Sequence, residues 1–392
     1  MRGFWSVILV LLSSFSFGQE LKVGIMRAYS MSNVKVSYNE GNYKIFGDST
    51  ELTTIWKDQS VYFKRSGEGI KVEKAGKNLG VYDTVYVQET APNNSFKIQS
   101  ISPSSKKIKK YKNNLMIVPE STSRIKVINE VEMPNYLAGV IESEGGGGKH
   151  KEYYKVQAIL SRTYVLDHLK KHRRDGFSVC DRVHCQAYHS MLRFTPTIEE
   201  AVQETSGTIM LDQHLKLADG FFFANCGGQT SESDFVWNVA VPYCRSIADT
   251  FCVKSRQANW TKKISKSNWK KYLVEQFGYP LKDSLFGESI YEFNQQNRKA
   301  FYVSPQLGIP LRDLRVKFKL KSTWFSSHLE GNYVVLKGKG FGHGVGLCQE
   351  GAMKMAKLGY SYEQILNFYF TEIEFFDYYH WLFLKQEEVV GL

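Results

Sequence analysis

Two carboxylates, Glu142 and Glu144, stand two residues apart and run straight into four glycines in "GVIESEGGGG". Paired carboxyl groups are the working parts of most glycosidases, one as general acid and one as base or nucleophile. On a strand the two side chains would share a face, whereas on a helix they would diverge by roughly 200°. Glycines after an acid let a bulky ligand come close to the backbone, because no Cβ stands in its way. Spacing alone leaves this reading open against a surface loop beside two exposed acids.

Three other stretches carry groups that could do chemistry. "GKGFGHGVGLCQEGA", residues 338–352, sets His343 among glycines ahead of a helix and could turn backbone N–H groups toward an oxygen-rich ligand. It lacks the GxxxxGK[ST] pattern of a nucleotide-binding loop, and His343 is open between base, ligand donor and packed histidine. In "HRRDGFSVCDRVHCQAYHS", His172, Cys180, His184 and Cys185 offer metal-ligand atoms at a spacing that matches no standard zinc finger. A Cys180–Cys185 disulfide is the alternative. "ANCGGQTSESDFVWNVAVPYCRSIAD" is a polar and aromatic loop around a Gly-Gly turn.

The elements that must position these groups change character along the chain. From Leu21 to about Ile141, short alternating segments such as "NVKVSYN", "TVYVQE" and "RIKVINEV" predict strands and hairpins, with the lysine run "SSKKIKKYKNN" as a solvated hairpin tip. Val156, Ile159, Leu160, Thr163, Leu166 and Leu169 then recur at three- and four-residue spacing, which predicts an amphipathic helix over 152–171. Further helices are expected at "TIEEAVQETSG", "SKSNWKKYLVEQFG", "QEGAMKMAKLG" and "SYEQILNFYF", with strands at "TIMLDQHLKLADGFFFANC", "LRDLRVKFKL" and "NYVVLKGKG". Segregated strands and a few helices predict an α+β fold: a β-rich N-terminal part and a mixed lobe forming a two-lobed cleft.

Composition bounds the class. The 392 residues carry a formal charge of +12 and open with "MRGFWSVILVLLSSFSFGQE", whose Arg2, apolar run and small Ser16 and Gly18 read as a signal peptide over 1–18. The run falls short of the ~20 residues a bilayer span needs, so no stable membrane anchor is expected. The chain is therefore expected to be exported, to a periplasm, cell surface or medium. There a basic surface fits an acidic wall polymer or membrane surface better than nucleic acid. Six cysteines in an oxidising compartment favour pairing, and Cys244 with Cys252, flanking "CRSIADTFC", is the easiest pair to close.

Taken in order, these stretches resemble the SpoIID/LytB family, the stage II sporulation protein D and amidase-enhancer group that acts on bacterial peptidoglycan. The matching segments are "YLAGVIESE", "KVQAILSRTY", "CDRVHCQAY", "CGGQTSESDFVWNVAVPYCRSIAD" and "GFGHGVGLCQEGAMKMA", between about Ile117 and Phe370. The resemblance implies a β-rich region over 19–115, a catalytic core over 116–375 and a tail over 376–392. It implies a lytic transglycosylase that cuts the MurNAc-β-1,4-GlcNAc bond of strands stripped of stem peptides, with Glu144 as the single acid.

It further implies that Gln157 and Arg162 hold the active-site wall and the sugar, with an acidic core residue as the alternative partner of Arg162, and that Gly227, Gly228, Gly342, His343, Gly344 and Gln349 meet the glycan. No cofactor is required for such chemistry, although zinc near the cleft in some members raises a metal reading of His172, Cys180, His184 and Cys185. Two rivals stand beside it: a non-catalytic wall-binding enhancer of an N-acetylmuramoyl-L-alanine amidase, and a metal-dependent hydrolase built on the cysteine and histidine cluster. The chain also departs from the family pattern. Four glycines replace the usual Met-Pro after the acid, Cys226 and Cys348 stand where serine or another small polar residue is expected, and Glu350 replaces a tryptophan.

Overall fold

The computed structural model describes residues 20–390, with side chains to residue 385, so the signal peptide expected over 1–18 lies outside the described residues. The fold is α+β with a β-rich N-terminal part. Two compact units meet in sequence at Tyr136 and Leu137.

The first unit holds β1 (Glu20–Ile25), β2 (Asn33–Glu40), β3 (Tyr43–Gly47), β4 (Thr50–Ile55), β5 (Ser60–Ser66), β6 (Gly69–Lys74), β7 (Lys77–Tyr82), β8 (Val85–Glu89), β9 (Ser95–Ser102), β10 (Lys109–Lys112), β11 (Asn114–Pro119) and β12 (Ile125–Glu132). One sheet carries the order β1-β12-β11-β8-β3-β4 and the other β10-β9-β2-β5-β6-β7, with antiparallel pairing throughout both orders. Alternation buries one side of each strand, as with Val34 and Val36 of β2 and Leu115 and Ile117 of β11. The lysine run is not a simple hairpin tip. Its second half is β10, an edge strand that buries Tyr111 against Phe96 and turns lysines outward, where charge protects an unpaired edge.

Next come α1 (Met133–Gly145), which crosses the boundary, α2 (Lys151–Asp167), β13 (Val179–Cys180), α3 (Thr197–Glu204), β14 (Thr208–Asp212), β15 (Phe222–Phe223), α4 (Asp234–Trp237), β16 (Asn259–Ser265) and α5 (Lys266–Phe277). They are followed by α6 (Leu311–Lys317), β17 (Phe325–Glu330), β18 (Tyr333–Lys339), β19 (Leu347–Cys348), α7 (Gln349–Lys357), α8 (Tyr362–Tyr369), β20 (Ile373–Asp377) and α9 (Tyr378–Val390). α2 is the central element of the second unit. It packs on α3, α7, α8 and β14, and twelve of its residues are buried, including all of the predicted stripe within the helix. A separate core, with Trp269, Tyr302, Phe293, Phe325 and Leu314, lies under the β16-β18-β17 sheet with α5 and α6. No helix among the described residues is long and apolar enough to cross a membrane.

Three further expectations are corrected. Residues 133–141 belong to a helix, although "YLAGVI" reads as one apolar run: Tyr136 to Ile141 are buried without a break, so no exposed polar face marks the helical period. "LRDLRVKFKL" is α6, because its apparent alternation is partly solvent-facing. Leu311 and Leu314 are buried three residues apart, Val316 is exposed, and Arg315 and Lys317 suit a helix C-terminus. Cys244 and Cys252 do not pair, and all six thiols are free. The loop between them is pinned back on the Gly-Gly turn by the Asp249 N–H to Gly228 carbonyl bond and the Gln229–Ala248 bridge, which carries Cys252 toward Cys226 instead.

Candidate active site

The last turn of α1 places Glu142, Ser143 and Glu144 side by side, and each accepts hydrogen bonds from one passing segment. Glu142 takes the N–H groups of Arg193 and Phe194, both at 2.9 Å, and the Arg193 guanidinium at 3.4 Å. Ser143 Oγ accepts from His189 N–H at 3.2 Å, and Glu144 Oε1 accepts from Ala187 N–H at 2.7 Å. Because the two acids lie on a helix, they diverge. Glu142 is buried with both oxygens occupied, whereas Glu144 is half-buried with one bond.

Burial pushes the Glu144 carboxyl above the ordinary range, against the lowering effect of the Ala187 N–H. That favours the protonated acid. Beside it lies the wholly buried Tyr153, which approaches Gln349 and whose phenol is itself raised, by burial first and then by the Glu144 charge. Glu144, Tyr153 and Gln349 are thus brought together. The glycine loop beside them is ordered: Gly146 and Gly148 adopt positive φ of 68° and 70° with open space where a side chain would stand, and the Tyr154 hydroxyl bonds the Gly146 carbonyl and the Lys149 N–H.

His172, Cys180, His184 and Cys185 also converge, with one ligand atom from each within 4.8 Å of all the others. His184 Nδ1 lies 3.9 Å from Cys180 Sγ and 3.8 Å from Cys185 Sγ. The buried Nε2 of His172 has no hydrogen-bond partner among the described residues, while its Nδ1 faces Asp175 Oδ2 at 2.9 Å. Two thiols, two imidazoles and a carboxylate behind one imidazole suit a tetrahedral zinc-class ion. Cys185 precedes by two residues Ala187, whose N–H holds Glu144.

The remaining predicted residues lie elsewhere in the second unit. Gln157 is wholly buried on α2 and its amide has no protein partner among the described residues. Arg162 donates to the Thr208 and Val202 carbonyls at 2.9 and 3.3 Å, and burial drives its pKa down to about 10. It braces α3 and β14, and among the described residues no acidic side chain pairs with it. Arg162→Met is expected to cost about 2–4 kcal/mol in urea unfolding, since two buried carbonyls lose a charged donor.

Gly227 and Gly340, both at positive φ, let two loops touch backbone to backbone: a Cβ on Gly227 would lie 2.6 Å from Gly340 N. Gly342 similarly admits Phe223, Gly344 accepts the Ser231 N–H, and Gly228 donates to Cys226 Sγ. His343 is a packed histidine. Its Nε2–H donates to the Phe222 carbonyl at 3.0 Å, Nδ1 accepts from Val345 N–H at 3.1 Å, and Phe223 and Trp237 flank the ring. Burial drives its pKa down to about 4. Long-range nitrogen NMR should therefore show a neutral Nε2–H tautomer still present at about pH 5, where a free histidine is charged.

Sequence reasoning missed Tyr153 and the anchoring role of Glu142. The first was hidden in the buried face of a helix, and the second depends on residues about fifty positions away. Comparison with known proteins adds the following. A family model described as stage II sporulation protein matches residues 121–211. An uncharacterized protein of Brachyspira hyodysenteriae is 29% identical over 88% of this chain and 89% of its own length. Stage II sporulation protein D of Bacillus subtilis is 25% identical over 69% of this chain and 82% of its own, and the amidase enhancer of the same organism is 25% identical over 60% and 39%.

Proposed function

We propose that this chain, which is similar to the SpoIID/LytB family, is a peptidoglycan lytic transglycosylase with Glu144 as its one acid and base. The observation that carries this reading is the contrast between the two acids: Glu144 is partly accessible and biased toward its protonated form, whereas Glu142 is consumed by backbone donors.

The chemistry needs one carboxyl. Glu144 gives its proton to the glycosidic oxygen as the bond from that oxygen to the muramic anomeric carbon breaks. The C6 hydroxyl of the same sugar attacks that carbon, and Glu144, now a carboxylate, takes the hydroxyl proton. A 1,6-anhydroMurNAc end forms, a GlcNAc end leaves, and no water is activated, so the second carboxylate of a glycosidase pair is unnecessary. The Ala187 N–H fixes one oxygen of Glu144 and leaves the other for the proton. We assign a zinc-class cation to His172, Cys180, His184 and Cys185, where it would clamp the Ala187 segment and take no part in the reaction.

A second reading, wall binding that enhances an amidase, draws on the likeness to the amidase enhancer. Incubation with amidase-treated glycan strands separates the two. Mass spectrometry should find anhydro-ended fragments under the first reading; intact strands together with faster release by an added amidase would favour the second. Exported placement, glycan strands as the partner and action on denuded strands are parts of the same proposal.

A further inference from the structure

Cys226, Cys252 and Cys348 bring three sulfurs together with the Asp249 carboxylate, one ligand atom from each within 4.8 Å of all the others and all four residues buried. They come from far apart: Cys226 follows β15, Asp249 and Cys252 lie on the loop folded back onto the Gly-Gly turn, and Cys348 caps the N-terminus of α7. Cys226 Sγ lies 3.2 Å from both Cys252 Sγ and Asp249 Oδ2.

Backbone donors point at the sulfurs. Cys348 Sγ accepts from the N–H groups of Cys226 and Gly351 at 3.2 and 3.4 Å, and Cys226 Sγ accepts from Gly228 N–H at 3.3 Å. Such donors hold each sulfur in one orientation, as outer partners do around a metal ligand. The carboxylate is oriented from behind by the Tyr369 hydroxyl at 2.9 Å and the Phe251 N–H at 2.9 Å, in the manner of supports around a bound metal. Glu350 braces the loop that carries Cys252, gripping Asn225, Ser255 and Gln257. The three departures from the family pattern in this part of the chain therefore meet at one place.

We propose that Cys226, Asp249, Cys252 and Cys348 form a second metal site, a closed Cys3Asp set for a zinc-class divalent cation that fastens the two glycine-rich loops and α7 together. Four protein ligands leave no open position, so the site is structural. A Cys226–Cys252 disulfide accounts for less: it would not explain why the Cys348 sulfur and the Asp249 carboxylate converge on the same pair. The sulfur separation, 3.2 Å, lies between the about 2.05 Å of a disulfide and the roughly 3.8 Å kept by two thiolates about 2.3 Å from one zinc ion.

The test uses the full chain purified without chelator, with metal counted by elemental analysis and thiols titrated after unfolding without reductant. The Cys180→Ser/Cys185→Ser protein isolates the new site. It should hold one zinc per chain, expose all four of its remaining thiols, and give thiolate-to-cobalt charge-transfer absorption when loaded with Co(II). Adding Cys226→Ser and Cys348→Ser, the residue type the family pattern expects, should abolish both zinc and that absorption. Zinc-free protein with two thiols missing would mean a disulfide, and zinc-free protein with four reactive thiols would mean a plain thiol cluster; either overturns the proposal. Neither outcome bears on Glu144, and a lost first site would show instead in Cys226→Ser/Cys348→Ser protein lacking zinc.

Discussion

Glu144→Gln is expected to lower cleavage of denuded glycan strands by at least about 100-fold, the range general acid–base groups contribute, while the fold is retained. Glutamine keeps the shape and can still accept the Ala187 N–H, but has no proton to give the leaving oxygen. Glu142→Gln should do the reverse. Its amide nitrogen would face a backbone donor at Arg193 or Phe194, costing about 1–3 kcal/mol of stability, and cleavage per folded molecule should largely persist.

The pH dependence follows from the direction of the Glu144 shift. A carboxyl whose folded pKa lies above its unfolded value supports folding fully at pH below the ordinary glutamate range, and that support is lost as pH rises through the raised folded pKa. Glu144→Gln removes this loss. The variant should therefore resist urea better than wild type at neutral pH, and the two should converge at acid pH. Wild-type cleavage should fall on the alkaline side as the acid loses its proton. Equal urea midpoints across the pH range would show that Glu144 is not held in a desolvated place.

The second large effect is expected at the His172, Cys180, His184 and Cys185 cluster. Cys185→Ser should leave the protein with less zinc and a lower melting temperature. It should also lower cleavage by as much as about 100-fold, because Ala187, two residues on, loses its anchorage and small displacements of a catalytic group are costly. Asp175→Asn tests the support behind His172 more gently, with a zinc affinity lower by about 10- to 100-fold. Metal content, melting curves and strand cleavage measured on one preparation check the chain of effects. Full cleavage by zinc-free protein would break the link between the cluster and the acid.

The sequence made the β-rich start and α2 legible for a plain reason: one-sided burial writes a period of two or of 3.6 into the residues. α1 carries the acid yet was illegible as a helix, since Tyr136 to Ile141 are buried without a break and no polar face marks the period. Choosing Glu144 over Glu142 rested on the family resemblance. The physical distinction between them lies in N–H groups 43 to 52 residues further on, which no local pattern records. The first cysteine and histidine cluster could be suspected because its ligands fall within one short stretch. The second could not, with Cys226 and Cys348 122 positions apart, although their shared departure from serine was already visible.

His343 and the glycines around it were ambiguous in another way. Their density suggested a ligand cradle, yet at Gly227, Gly340 and Gly342 the missing side chain makes room for neighbouring protein, and both His343 nitrogens are bonded to backbone. Glycine-rich motifs mark close approach without saying what approaches.

The most direct measurement is digestion of amidase-treated glycan strands in water enriched with oxygen-18, followed by mass spectrometry of the new muramic ends. Intramolecular attack by the C6 hydroxyl consumes no water, so the account predicts 1,6-anhydro ends without the label, formed by wild type and lost in Glu144→Gln. Reducing muramic ends carrying oxygen-18 would show that water is the nucleophile and contradict it.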